Sequence, residues 1–415
     1  MLPLLISVVL AAPAPAIRLA DLIDEARKNN PELQAAREQA SAAASSVAPA
    51  GALDDPMLMV QLWNAPVDFS SVPLMVQLSQ PIPLGGKRAA RRDAASGEAA
   101  AARANAAAKA RDIEAAVAKA YFDLYLSDRT LEVDAEIEAT LRSLISAASA
   151  RIAAGKGEQS EALRAQAELL KVQSDREAVA ARRVAASARL VALLNREADT
   201  ALGPTTEPGL VDVLAPEAQL RERALHERPE VTAANAMTAQ AEARLRLTRA
   251  EQVPDISVFV GEMHSFRTPG VSDFLFAGVQ GNLPIWSGSK SRPRIDAAST
   301  QLSAARAEAK ALENRIASEI ADAYAEATAE KRQVELHHQL IPVARQALSS
   351  ATASYAAGKG SFLMVLDSER DLLMHELDLA THLVMYEQRL AELERAVGAD
   401  LGLARASESG VRGGH

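Results

Sequence analysis

The sequence predicts a mainly α-helical chain with four β-strands, built from two copies of one unit. Three observations predict this fold. The pentapeptide Ala-Ala-Gly-Lys-Gly occurs at residues 153–157 and again at 356–360. Proline is absent from residues 84–203 and from residue 343 onward, which favours unusually long helices. Two proline-bounded windows, residues 57–82 and 256–283, are instead rich in β-branched and aromatic residues, as is typical of strands.

The duplication extends well beyond the pentapeptide. Pro31 pairs with Pro229 at an offset of 198 residues, and Tyr121 pairs with Tyr324 at an offset of 203. So small a drift indicates a few residues inserted in turns and no element gained or lost. The domain organisation predicted is a first repeat at 17–203, a proline-rich linker at 204–218, a second repeat at 219–402, and a polar, glycine-rich, disordered tail at 403–415.

Residues 1–16 have the pattern of a signal peptide. They are apolar from Leu2 to Leu10 and end in Ala14-Pro15-Ala16, so the mature chain is predicted to begin near Ile17. The chain has no cysteine, which excludes disulfides, thiol catalysis and cysteine metal sites. A net charge of −9 without a long basic run argues against nucleic acid as a partner.

The proline-free stretches predict long helical hairpins. A helix from about Lys87 to Ala154 would be roughly 100 Å long, and the Gly-Lys-Gly turn then lets a second helix return antiparallel. In the second repeat apolar residues recur every seven positions, as in a coiled coil. They are Leu366, Leu373 and Ala380, then Leu383, Leu390 and Val397.

Each strand window predicts a β-hairpin, with turn residues at 64–66 and at 268–270. Both tryptophans, Trp63 and Trp286, lie in or beside these windows, as do five of the seven phenylalanines. Such residues form interfacial girdles in membrane barrels, although aromatic residues also favour strands in general. Four strands cannot close a barrel, so several chains would contribute to one. Two copies would give eight strands, and three would give twelve strands and a lumen.

Other candidate chemistry is sparse, so we predict no enzyme activity, no cofactor and no metal site. His337 and His338 are adjacent and therefore point to different helix faces. His375 and His382 share a face but lie about 10.5 Å apart along a helix, too far to bind one ion. Met263-His264 in the second hairpin could touch a soft metal in transit, with a plain loop or lumen position as the alternative.

The ordered set of elements resembles the TolC-like outer-membrane efflux proteins over residues 18–402. It comprises the duplicated hairpins, the glycine turns, the segment Ser-Gln-Pro-Ile-Pro-Leu-Gly-Gly-Lys at 79–87 and its counterpart Asn-Leu-Pro-Ile-Trp at 282–286. The segments around Pro83 and Pro254 are most similar to the heavy-metal cation efflux branch. The resemblance implies a homotrimer in the Gram-negative outer membrane, with a 12-stranded barrel in lipid and a long periplasmic α-barrel. It also implies a periplasmic adaptor and an inner-membrane pump of the resistance-nodulation-division type.

The resemblance also assigns site residues. It puts the hairpin tips that dock the adaptor at Gly155, Lys156, Gly157, Gly358, Lys359 and Gly360. It puts the periplasmic constriction at Glu161, Arg164 and Asp367, where contact of Arg164 with either carboxylate would hold the tip shut. The alternative is that these are ordinary solvated helix charges.

The acidic balance suits a cation conduit. The alternative from another class of protein is a soluble periplasmic coiled-coil scaffold or adaptor, with the hairpins forming a small water-exposed sheet.

Overall fold

A computed structural model describes residues 16–62, 73–155, 158–210, 215–265, 273–283 and 287–402. The first half contains α1 (Leu19–Asn29), α2 (Pro31–Ser45), α3 (Val47–Ala50), β1 (Met57–Leu62), β2 (Pro73–Ile82), α4 (Lys87–Ala153) and α5 (Gln159–Leu193). The second half contains α6 (Glu217–Glu227), α7 (Pro229–Ala250), β3 (Ile256–Ser265), β4 (Phe274–Gly281), α8 (Arg292–Ala356) and α9 (Phe362–Val397). The predicted long helices and four antiparallel strands are confirmed.

The two halves repeat one order of elements with closely matched lengths. Helix α4 has 67 residues and α8 has 65, while α5 has 35 and α9 has 36. The main difference between the halves lies in the helical segment that precedes the first β-hairpin. Helix α7 runs unbroken, whereas its counterpart is divided at Ser46 into α2 and α3. The Ser46 hydroxyl donates to the Ala43 carbonyl at 2.7 Å and Pro49 has no N–H to donate, so both residues disfavour a continuous helix there.

The chain forms two compact units, and each draws on both halves. The first unit comprises residues up to 34, 108–228 and 315 onward, and the second comprises 35–107 and 229–314. The first unit has a core of α1, α4, α5 and α9 around the fully buried Tyr121 and Phe122. The Tyr121 hydroxyl accepts the Thr206 backbone N–H at 3.0 Å, which ties the linker to this core. Of the six seven-residue positions, Leu366 is half-buried, and the other five are buried as their spacing predicts: Leu373, Ala380, Leu383, Leu390 and Val397.

The second unit carries the sheet, whose strand order is β1-β2-β3-β4. The two hairpins pair with each other, because β2 and β3 run antiparallel from Pro73 opposite Ser265 to Ile82 opposite Ile256. Strands β1 and β4 are therefore the two edges. Among the described helices, none combines the length and the apolar character needed to cross a membrane. The predicted turns at 64–66 and 268–270, together with Trp63 and Trp286, lie outside the described residues.

Candidate functional site

The turn between α8 and α9 is the better described of the two predicted tips. Helix α8 ends at Ala356, and Gly358 takes φ +72°, the left-handed conformation that ends many helices. The backbone N–H groups of Lys359 and Gly360 then both donate to the Ser354 carbonyl, at 2.9 and 3.0 Å. A Cβ on Gly360 would lie 3.0 Å from Ser354 Cβ and 3.0 Å from the Tyr355 nitrogen. The two glycines are thus required for different reasons: backbone conformation at Gly358 and close approach at Gly360.

The same turn is fixed on its other side by a cap and an aromatic pair. The Ser361 hydroxyl oxygen accepts the Met364 N–H at 3.3 Å, an N-cap for α9. The buried Phe362 ring packs edge-on against Tyr355 with 6.0 Å between the ring centroids. The Arg151 guanidinium, near the end of α4, lies 4.4 Å from the centroid of the Tyr355 ring. A cation–π contact therefore connects helix α4 of the first hairpin to the second turn.

The first tip begins in the same way. Helix α4 ends at Ala153, and Gly155 takes φ +71° while its N–H donates to the Ile152 carbonyl at 2.9 Å. Helix α5 begins at Gln159 after an extended Glu158. Lys156 and Gly157 lie outside the described residues. The backbone at Gly155 and Gly358 is thus equivalent in the two repeats.

The predicted constriction residues follow these turns. Glu161 is half-buried, and its Oε2 atom has no hydrogen-bond partner. Arg164 and Asp367 are exposed. Among the residues described in this single chain, no ion pair or hydrogen bond joins Arg164 to Asp367 or to Glu161. The expected closing contact is therefore absent within one chain, and a contact between chains stays a prediction.

A buried lysine joins the sheet to helix α4, and the sequence reasoning missed it. Lys87 is only 3% exposed, and its Nζ donates to the Val253 carbonyl at 2.7 Å and to Asp255 Oδ1 at 2.6 Å. The same Asp255 oxygen accepts the Leu84 N–H at 3.1 Å. Gly85 precedes the lysine with φ +72°, and a Cβ there would lie 2.9 Å from the Val253 side chain. Lys87 belongs to the segment at 79–87 that carries the family resemblance, but its partners Val253 and Asp255 lie more than 160 residues away in the sequence.

Three histidines come together between two helices, which the separation of His375 and His382 along one helix does not predict. His337 of α8 lies close to both of these α9 residues. Its ring centroid is 5.5 Å from that of His375 and 5.3 Å from that of His382. Ligand atoms of His337, His375 and Asp378 all lie within 4.8 Å of one another. The cluster takes residues from two antiparallel helices, so the distance between residues of one helix could not predict it.

The described residues therefore present an open antiparallel sheet, two long helical hairpins and glycine turns at the hairpin ends. This is the fold of the TolC-like channel proteins, which are outer-membrane channels. The chain superposes on CusC, from a study of its transmembrane channel formation, with TM-score 0.81 and 19% identity over 94% of this chain and 96% of that one. It superposes on the open state of the MtrE outer membrane channel of Neisseria gonorrhoeae with TM-score 0.79 and 21% identity, covering 92% and 89%.

The sequence profile of the outer membrane efflux protein family matches residues 22–196 and 220–399. This chain therefore belongs to the outer membrane efflux protein family. It is also 26% identical over 333 residues to the cobalt-zinc-cadmium resistance protein CzcC of Cupriavidus metallidurans, covering 78% of this chain and 76% of that protein. Family and fold confirm the predicted class, an outer-membrane channel component of efflux systems, and remove the support for a soluble scaffold. This family and this fold are those of channel proteins and not of enzymes.

Proposed function

We propose that three copies of this chain form the outer-membrane duct of a tripartite efflux system that exports divalent metal cations. The observation that carries the proposal is the sheet. It has four strands, two edges and exposed side chains on both faces. An open sheet leaves backbone N–H and C=O groups unpaired, which a bilayer does not tolerate. Pairing of β4 with β1 of the next chain would remove both edges.

The two faces of the sheet differ in the way that a membrane barrel needs. The cross-strand registers put nine exposed large apolar residues on one face. They are Leu58, Val60, Leu62, Val76, Leu78, Val258, Val260, Leu275 and Val279. The opposite face mixes methionine and phenylalanine with polar and small residues, among them Gln61, Gln77, Ser79 and Gly261. The same registers put Gln80, Glu262 and His264 on the first face, which is largely apolar and suits contact with lipid, whereas the mixed face suits a water-filled lumen.

Three chains are the number we propose, because four strands from each give twelve, enough to leave a lumen, whereas eight strands are filled by side chains. We further propose that residues 1–16 are a signal peptide and that the repeats are 17–203 and 219–402, joined by the linker 204–218. The family profile supports two repeats, since its two matches, at 22–196 and 220–399, fall one in each.

The hairpin tips are the proposed docking surface for a periplasmic adaptor, with Gly155, Lys156 and Gly157 in one repeat and Gly358, Lys359 and Gly360 in the other. Exposed apolar residues follow each turn: Leu163 after the first, and Leu363 and Met364 after the second. Apolar side chains beside a rigid turn suit protein contact better than solvent. We propose Glu161, Arg164 and Asp367 as the periplasmic constriction, with Arg164 contacting a carboxylate of a neighbouring chain.

The proposed substrate class rests on the relative CzcC, whose name states resistance to cobalt, zinc and cadmium. The lumen-side face of the sheet also carries Met59, Met75 and Met263, and thioether sulfur is a soft ligand for metal ions in passage. Energy for export would come from an inner-membrane pump of the resistance-nodulation-division type, since a passive duct has no source of its own.

The test of assembly uses cysteine cross-linking, for which the natural chain is a clean background because it has no cysteine. One cysteine is introduced on β1, scanned over residues 57–62, together with one on β4, scanned over 274–281. Strands of neighbouring chains that pair will give covalent dimers and trimers on non-reducing gels. The control pair Val76→Cys and Glu262→Cys is opposed within one chain and should give cross-linked monomer only. Monomer from every β1–β4 pair would refute the shared barrel.

The substrate class is tested by measuring the metal sensitivity of a strain from which this protein has been deleted. We expect the strain to become sensitive to zinc, cobalt or cadmium, and the natural chain to restore resistance. Restored resistance to dyes or antibiotics, with metal sensitivity unchanged by the deletion, would refute the metal substrate class and leave the duct itself intact.

A further inference from the structure

We propose that His337, His375 and Asp378 bind one divalent transition-metal ion that joins helix α8 to helix α9. The ion is of the class that prefers imidazole and carboxylate ligands, with Zn²⁺ and Co²⁺ as representatives. This would be a resident ion in the helical unit, so the inference does not rest on what the duct exports.

The geometry brings one ligand from α8 and two from α9. His375 and Asp378 are three residues apart on α9 and therefore share a face. His337 reaches that face from α8, and the ligand atoms of all three residues lie within 4.8 Å of one another. Zinc bound tetrahedrally at about 2.0 Å would bring its ligand atoms to about 3.3 Å from one another. Small side-chain rotations would close the site, and water would take the remaining positions.

The second observation is that two histidines of this cluster have buried nitrogen atoms without hydrogen bonds. His337 is 8% exposed, and the Nδ1 atoms of both His337 and His375 are buried and have no hydrogen-bond partner. Buried polar atoms are nearly always paired, so two such atoms beside one carboxylate call for an explanation. A cation coordinated through Nδ1 of both histidines would satisfy the two nitrogens together.

The surroundings suit a cation. Beside the cluster, His382 Nδ1 lies 2.7 Å from Glu330 Oε2, and its ring faces His337. A histidine oriented by a carboxylate is a common neighbour of metal ligands. His382 is thus available to support the site or to complete it.

The experiment measures metal binding to the full-length protein in detergent, purified through a tag without histidine and stripped with a chelator. Calorimetry with Zn²⁺ should give one ion per chain, and Co²⁺ should give the visible absorption bands of a low-coordinate site. His337→Gln, His375→Gln and Asp378→Asn should each weaken binding at least tenfold. His338→Gln is the matched control, because His338 is adjacent to His337 and exposed, and it should bind as the natural chain does.

Absence of Zn²⁺ binding, or undiminished binding in His375→Gln and Asp378→Asn, would overturn the proposal. These two residues are only partly buried, so the test stands even if His337→Gln fails to fold. Because binding is measured on the purified protein, its outcome is separate from the growth assay for metal export.

Discussion

Replacing Lys87 by methionine removes the charge that holds the sheet against the start of α4 while keeping a side chain of similar length. The Val253 carbonyl loses the charged donor 2.7 Å away, and a hydrogen bond to a charged group contributes about 1.5–3 kcal/mol. Asp255 loses the ammonium 2.6 Å away, but its side chain is 40% exposed and keeps the Leu84 N–H, so this loss adds about 1 kcal/mol. We expect a total cost of about 3 kcal/mol in the free energy of unfolding.

A double-mutant cycle isolates the ion pair. Asp255→Asn alone should cost about 1 kcal/mol, and the double variant should cost about 1 kcal/mol less than the sum of the single changes. The control is Lys119→Met, which makes the same change of charge in the same helix at an exposed position and should stay within about 0.5 kcal/mol of the natural chain.

The assay for the cycle is denaturant unfolding of the detergent-solubilised protein at one fixed concentration, since oligomer stability depends on concentration. Unfolding is followed by the intrinsic fluorescence of Trp63 and Trp286, which lie close to the strand segments in the sequence. Two results would refute this prediction. One is that Lys87→Met has the same free energy of unfolding as the Lys119→Met control. The other is that the costs of Lys87→Met and Asp255→Asn simply add in the double variant.

Three further predictions concern the tips, the constriction and the helical unit. Gly358→Asn should keep adaptor binding because asparagine tolerates the left-handed conformation, whereas Gly360→Ala should lose it through the 3.0 Å clash, as pull-down of the adaptor will test. Asp367→Lys should raise single-channel conductance and sensitise cells to large antibiotics, and unchanged conductance would mean that Asp367 is only a solvated charge. The Arg196 hydrogen bond lowers the pKa of Glu25, so the stability that this pair contributes is present above pH 4.5 and is lost as pH falls through the lower folded-state value. Thermal unfolding of Arg196→Gln should therefore converge with that of the natural chain as pH falls below about 4.5, and a constant difference would contradict the linkage.

The sequence predicts the elements of this fold well because its signals are local. Proline-free stretches mark α4, α5 and α9, and the observed start of α4 at Lys87 agrees with the predicted one, whereas α8 contains Pro293 and Pro342. Leucines at seven-residue spacing mark the buried face of α9, since that spacing brings residues to one side of a helix. Glycine in the repeated pentapeptide marks turns because Gly358 needs positive φ.

Contacts between distant segments could not be predicted in this way. Lys87 meets Val253 and Asp255 only because β2 and β3 pair, and nothing local in the sequence encodes that register. His337 meets His375 only because α8 and α9 lie antiparallel at one particular offset. Distances along a single helix do not contain that offset, so they cannot predict the histidine cluster. The cluster is therefore a property of how the two helices pack.

The most direct test of the shared duct is the mass of the detergent-extracted outer-membrane protein, followed by its conductance in a planar bilayer. We predict a particle of three chains, each slightly smaller than the 44.0 kDa of the full sequence because residues 1–16 are removed, that needs detergent for extraction and gives small, cation-favouring conductance steps. A monomer released from the envelope by salt alone, with no conductance, would contradict the trimeric barrel.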